Sequence, residues 1–311
     1  MTSRALSLVK ATFFFAIAAA LIWFGYSVDW SELSGVSVTW RWLALGTVIA
    51  LLFRYLGVVV WLVVLVSIGA TALPRFRIMA DIYAKAWLAR YIPGTLPWVA
   101  GKIYLASEQG IPKSRLAVST IVEAAAQVVA IGAVSLVLLA TDNRIAEVSS
   151  VLRWLVVVSA VAFLAAMVPA IFNRLVSLAM GVLKRHTQVT VTWSVVLRSL
   201  GLYGVGAIIS GASYACVAYS LDSSLSFQDL VFLVGSFGFA GVIGMLTPLA
   251  PSGLGTRDGT QLLLLLIVLP APMAALVVLV SRVWSAAVDV LFWLIAAAMR
   301  KVLDTQIPLV K

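Results

Sequence analysis

The stretch TPLAPSGLGTRDGTQ, Thr247 to Gln261, lies between apolar runs long enough to enter a bilayer, yet it holds two prolines, three glycines and an adjacent Arg–Asp pair. Proline removes a backbone donor, and glycine opens backbone conformations closed to other residues, so a regular helix is not expected through it. Broken backbone survives at membrane depth only where it is buried in protein or faces a wet cavity. The reading of this segment therefore depends on what surrounds it.

The 311 residues are 63% hydrophobic and 11% charged, with a mean hydropathy of +1.09. Soluble domains carry about 25% charged residues. The apolar runs extend over the whole length, which predicts an all-α polytopic membrane protein with a single membrane domain over 1–311. No small-residue cleavage site follows the first run, 11–28, so it is expected to stay as a span rather than leave as a signal peptide. The one cysteine, Cys216, sits in an apolar run, and the one histidine, His186, sits in the basic stretch LKRHT. Neither has a partner for a disulfide or a metal, so no metal and no cofactor are expected. The net charge of +10 fits basic loops against anionic lipid, and no nucleic-acid partner is expected.

About six segments read as full spans of roughly 20 residues: 11–28, 42–68, 115–140, 151–172, 198–219 and 273–299. The loops between them separate by charge. Arg4 and Lys10, then Arg75, Arg77 and Lys85, then Arg174, Lys184 and Arg185, then Arg300, Lys301 and Lys311 fall on one side. The other side holds Asp29 and Glu32, Asp142 and Glu147, and Asp222 and Asp229, mixed with Arg41, Arg144 and Arg153. The positive-inside rule then puts both termini in the cytoplasm of a multi-pass cell-membrane protein.

Two regions do not read as simple spans. Residues 78–112 begin and end on the basic side and are broken by YIPGTLPW; residues 228–272 begin and end on the other side and are broken by TPLAPSGLG. Each is expected to be a re-entrant helical hairpin. Sliding the chain on itself by 158 residues aligns them: Pro93 with Pro251, Leu96 with Leu254, Gly101 with Gly259, Leu105 with Leu263, Pro112 with Pro270, and Ala117 with Ala275. Because the hairpins enter from opposite sides, the expectation is an inverted repeat, about 1–140 and 151–300, with three spans and one hairpin per half. Paired broken segments in inverted halves are the architecture of secondary transporters, whose substrate site lies where the broken elements meet.

Charges inside these segments are the candidate binding residues, since each costs about 2.5–3.5 kcal/mol at a lipid-facing helix centre. They are Arg54, Arg90, Lys102, Arg257 and Arg282 against Glu123, Asp258 and Asp289, a positive excess that suits a phosphate-bearing lipid head group. Around the breaks, Pro93, Gly94, Pro251, Gly253 and Gly255 shape the backbone. Arg90 can bind substrate or cap carbonyls freed at the break, and Lys102 can bind or snorkel to the interface. Asp258 can contact substrate or stabilise the first turn of a helix that starts after Gly255. Glu123 and Arg282 hold nearly equivalent places in the two halves, and a buried pair between them is a candidate latch, relay or strut. Asp289, seven residues after Arg282, is a candidate internal counter-ion. Trp61, Trp87, Trp284 and Trp293 read as packing; Trp98, at the hairpin break, is the tryptophan to test.

Enzymatic signatures are scarce. There is no DDxxD cluster for magnesium diphosphate, no P-loop, no HExxH and no serine triad, so no catalytic residues are assigned. DWSE, Asp29–Glu32, is similar to the acidic motif of lipid-dependent glycosyltransferases, and a solvated loop is the simpler reading.

At its two breaks the sequence resembles the lysylphosphatidylglycerol synthase transmembrane region, or flippase-like, family. The first motif is RYIPGTLPWVAGK, followed by GIP and a long helix with Glu123; the second is PLAPSGLGTRD, followed by a helix with Arg282. Ser252 and Pro97 stand where the family has glycine, Asp258 where it has glutamate, and Lys102 where arginine is usual. The resemblance implies a flippase-like protein that moves an anionic phospholipid, an aminoacyl-phospholipid or a polyprenyl-phosphate-linked lipid between leaflets. It implies a stand-alone member, since no synthase domain follows Lys311. The expected partners are membrane lipids with anionic head groups, a lipid-modifying enzyme or glycosyltransferase, and a second copy in a homodimer. The alternative is an integral-membrane glycosyltransferase or a non-catalytic partner in a cell-envelope glycolipid pathway.

Overall fold

The computed structural model describes residues 26, 30–33, 35–70, 73–91, 96–182, 192–247, 253 and 255–304. Its helices are α1 (Trp40–Ser67), α2 (Phe76–Leu88), α3 (Leu96–Ser107), α4 (Lys113–Ala140), α5 (Asn143–Val148), α6 (Ser150–Ala166), α7 (Pro169–Val182), α8 (Trp193–Leu221), α9 (Phe227–Leu246), α10 (Thr256–Leu265) and α11 (Ala271–Asp304). Short 3₁₀ turns cover Trp30–Leu33 and Ala89–Tyr91. Among the described residues there is no strand, and α1, α4, α8, α9 and α11 are long and apolar enough to cross a bilayer. The chain is an all-α polytopic membrane protein. Four of these helices fall on expected spans; the first expected span, 11–28, lies outside the described residues except for Tyr26.

These helices are apolar all round, so hydrophobicity alone cannot choose the face that packs. Small residues do, by letting backbones approach. A β-carbon on Gly211 of α8 would lie 2.8 Å from the Val234 Cα and 2.9 Å from its carbonyl oxygen on α9. A β-carbon on Gly201, in the same helix, meets nothing within 4 Å. Gly211→Ala is therefore expected to lower stability by about 1–3 kcal/mol through overpacking, read as thermal unfolding in detergent. Gly201→Ala is expected to be neutral or stabilising, because alanine is the better helix former; equal effects at the two sites would contradict this packing.

The segment 151–172 departs from its expectation of one straight span. Helix α6 ends at Ala166, and α7 starts at Pro169 after a 92° bend. Pro169 supplies no N–H and disfavours helical geometry at Val168. Beyond the bend, α7 turns Phe172 and Val176 into the core and leaves Ile171, Leu175 and Leu178 exposed.

Both broken segments fold back on themselves: α2 packs on α3, and α9 on α10. Leu88 and Leu246, Ser107 and Leu265, and Lys113 and Ala271 each stand 158 residues apart (246 − 88, 265 − 107, 271 − 113), so three element boundaries around the breaks recur in register. The first limbs differ, however. Helix α2 has 13 residues and α9 has 20, about 20 Å against about 30 Å, and the latter is a full crossing by length.

Contacts at the helix ends define two faces. On one, Arg115 donates to the Gly69 carbonyl, and Asp81 holds Lys85 at 2.8 Å and Arg300 at 2.6 Å. On the other, the Thr39 amide donates to the Ser220 carbonyl at 2.8 Å, and Arg144 bridges Asp142 at 2.7 Å and Asp229 at 2.5 Å. The hydrogen bond from Arg144 holds the Asp142 carboxyl below the usual carboxylate range. Helix α2 begins at the first face and α9 at the second.

Candidate functional site

Helix α11 packs against α2 and carries Asp289, which is 0% exposed. A carboxylate there is stable only if its oxygens are paired. Arg54 of α1 donates to Oδ1 through Nε at 3.0 Å and Nη2 at 2.9 Å, and the Trp87 Nε1–H of α2 donates to the same oxygen at 3.0 Å. Oδ2 accepts the Tyr91 hydroxyl at 2.7 Å and faces Arg90 Nη2 at 3.1 Å. The Arg90 guanidinium also stacks 4.7 Å over the Trp87 ring. Asp289 is thus a counter-ion, but to Arg54 and Arg90 rather than to Arg282. Arg90 spends part of its charge here; the carbonyls at the break that it was also expected to cap lie outside the described residues.

Lys102 and Glu123 form a second cluster, 1% and 2% exposed. Lys102 donates to Glu123 Oε2, while Oε1 accepts Tyr83 at 2.8 Å and Tyr203 at 3.2 Å. Lys102 Nζ lies 4.3 Å from the ring centroids of both Trp61 and Tyr83. Lys102 therefore does not snorkel. The expected Glu123–Arg282 pair does not form, because α4 and α11 make no contact among the described residues. Arg282 reaches Asp258 instead, at 3.6 Å. After each break, then, the short helix is tied to the next long helix by an ion pair: α3 to α4 through Lys102–Glu123, α10 to α11 through Asp258–Arg282.

The start of α10 depends on two glycines with φ of +69° (Gly253) and +86° (Gly255). A β-carbon on Gly253 would also lie 2.9 Å from the Gly244 Cα, so only glycine lets the break lie flat on α9. The Gly255 amide donates to Asp258 Oδ2 at 3.2 Å, which realises the first-turn role expected for that aspartate. Arg257 points elsewhere. It is 9% exposed, its guanidinium lies 5.0 Å from the Phe237 ring centroid, and its Nε–H has no hydrogen-bond partner among the described residues. The charges of Arg90, Arg282, Asp258 and Arg54 all act on it.

The fold therefore brings Arg54, Arg90, Arg257, Asp258, Arg282 and Asp289 into one electrostatic neighbourhood. Lys102 and Glu123 stand beside it, joined through Tyr83, which stacks on Trp87 at 5.8 Å. Pro93, Gly94 and Pro251 lie outside the described residues. Sequence reading missed Trp87, read as packing, and also Tyr83 and Tyr91. Their spacing along α2 and the turn after it, at i, i+4 and i+8, was a readable signal of one face. Gln261 and Tyr214, buried beside Arg257, were missed as well; neutral polar residues inside apolar runs carry no charge signal.

No curated protein and no solved structure matches the chain at a significant level. The family model described as lysylphosphatidylglycerol synthase TM region matches residues 11–292, which takes in both breaks and every charged residue of the neighbourhood just described. The chain belongs to the lysylphosphatidylglycerol synthase transmembrane-region family.

Proposed function

We propose that this protein is a flippase-like transporter that moves lipids with anionic phosphate head groups between leaflets. The carrying observation is the charge balance at the breaks. Arg54, Arg90, Arg257 and Arg282 are set against Asp258 and Asp289, four positive groups to two negative, at membrane depth. An unneutralised pair of buried positive charges is costly in an apolar medium, and a lipid phosphate offsets it. Arg257 is the residue best placed to meet that phosphate, because Asp289 holds Arg54 and Arg90 while Asp258 holds Arg282.

In this reading the two halves, about 1–140 and 151–300, are inverted repeats, and the site is exposed alternately to each face. The basic face is cytoplasmic. Lys102 and Glu123 act as a strut that fixes α3 on α4, while Gly253 and Gly255 shape the second break.

The test uses purified protein in vesicles with tail-labelled phosphatidic acid and phosphatidylglycerol, following loss of label to an outside quencher. Wild type is expected to move these lipids at least tenfold faster than protein-free vesicles, and Arg257→Ala to lose about tenfold or more of that rate, a loss of about 1.4 kcal/mol or more in transition-state stabilisation. Arg257→Lys keeps the charge and is expected to retain part of it. Wild-type vesicles no faster than empty ones would sink the proposal. Transfer of sugar from a prenyl-phosphate donor in the same vesicles would replace it with the glycosyltransferase reading.

A further inference from the structure

Around α10, three buried polar atoms have no hydrogen-bond partner among the described residues: Arg257 Nε, Gln261 Nε2 and the Tyr214 hydroxyl. Their residues are 9%, 1% and 0% exposed. Arg257 and Gln261 stand four residues apart on α10, on one face of that helix. Tyr214 comes from α8 and stacks on Phe237 of α9 at 4.6 Å, and the Arg257 guanidinium lies 5.0 Å from the same ring. Gln261 and Ser281 of α11 stand close to the Tyr214 hydroxyl, though neither meets it with hydrogen-bond geometry, and the charge of Arg257 acts on it. A hydrogen bond left unmade is costly when its donor is buried. Three such donors, two from α10 and one from α8, gathered beside the Phe237 ring of α9, describe a site built to receive oxygen acceptors.

The carboxylates nearby are already committed. Both oxygens of Asp289 are bonded, to Arg54, Trp87, Tyr91 and Arg90. Asp258 caps Gly255 and pairs with Arg282. Among the described residues, a cationic amine on a head group would find no free counter-charge and would face the surplus positive charge described above. A hydroxyl-bearing head group would instead place its oxygens on the Gln261 amide and the Tyr214 hydroxyl.

We infer that Arg257, Gln261 and Tyr214 form a head-group subsite selecting lipids whose phosphate bears a hydroxylated, amine-free substituent such as glycerol or a sugar. Arg257 takes a phosphate oxygen, and Gln261 and Tyr214 take the substituent. The inference rests on the transport reading above and narrows its substrate class.

The same vesicles test it with three tail-labelled lipids: phosphatidic acid, phosphatidylglycerol and phosphatidylethanolamine. Wild type is expected to move phosphatidylglycerol at least tenfold faster than phosphatidylethanolamine. Tyr214→Phe and Gln261→Leu, both close in shape to the native side chains, are expected to slow phosphatidylglycerol about tenfold while changing phosphatidic acid less than twofold. Gln261→Glu supplies the missing counter-charge and is expected to raise phosphatidylethanolamine relative to phosphatidylglycerol, an inversion that a packing role would not produce. If wild type moves phosphatidic acid but these variants leave the ratios unchanged, the subsite is wrong and transport stands. If wild type moves none of the lipids, the transport reading fails and the subsite falls with it.

Discussion

Asp289→Asn is expected to be among the most damaging single substitutions in the protein, with a loss of about 3–5 kcal/mol in stability. The carboxylate is fully buried and answers two guanidiniums, Arg54 and Arg90, besides accepting from Trp87 and Tyr91. Asparagine keeps the shape but leaves two positive charges in an apolar interior with no counter-charge. Removing one partner of a buried pair costs more than removing both, because the survivor remains desolvated and unpaired. Arg54→Met in the Asp289→Asn background should therefore restore part of the loss, with Arg90 still uncompensated. The measurement is thermal unfolding followed by tryptophan fluorescence in detergent. An Asp289→Asn protein within about 1 kcal/mol of wild type, a loss well below that of a broken buried pair, would show that these arginines do not depend on Asp289.

Lys102→Met and Glu123→Gln should each cost about 3–5 kcal/mol alone, for the same reason. Their combination should cost much less than the sum, because the glutamine carbonyl still accepts from Tyr83 while methionine fills the space beside Trp61 and Tyr83. The double variant also carries a functional readout. As a strut, the pair can be exchanged for a neutral one with lipid movement largely kept; as part of the phosphate site, it cannot. Additive losses in stability would argue against coupling, and a folded double variant that moves no lipid would transfer Lys102 from the strut to the binding site.

The positions of the breaks were legible in the sequence because proline and glycine act locally. The clusters at Pro93–Gly94 and Pro251–Gly255 interrupt helices whatever surrounds them, and α2, α3, α9 and α10 end or begin beside them. Spans 42–68, 115–140, 198–219 and 273–299 were legible for a similar reason, since length and hydropathy are properties of a segment taken alone. Pairing was not. Arg54 and Asp289 are separated by 235 residues, and no periodicity links them; only the packing of α11 on α1 brings them together. The expected Glu123–Arg282 pair came from treating a 158-residue offset as a contact. An internal offset relates equivalent places in two halves, and equivalent places need not touch. The bend before Pro169 was local and readable, but the apolar run on either side of it outweighed one proline. The seven extra residues at the start of α9, relative to the offset position of Phe76 (76 + 158 = 234, against Phe227), were hidden by assuming that matched breaks imply matched limbs.

The bend after Ala166 has a consequence for the lipid beside it. Helix α6 has 17 residues, so it rises only about 25 Å, against a hydrocarbon layer of about 30 Å. One side of it packs on α4 through Leu152, Val156 and Phe163, the rest is exposed, and among its residues only Ala160 is fully buried. Helix α7 leaves the bend nearly at right angles, with Ile171, Leu175 and Leu178 outward, as an amphipathic helix settled in the interface would present them. A helix this short would cross by local thinning of the bilayer, snorkelling of its flanks or association, rather than by tilt. If α6 crosses alone, a head group along its flank has less hydrocarbon to traverse than in the undisturbed membrane.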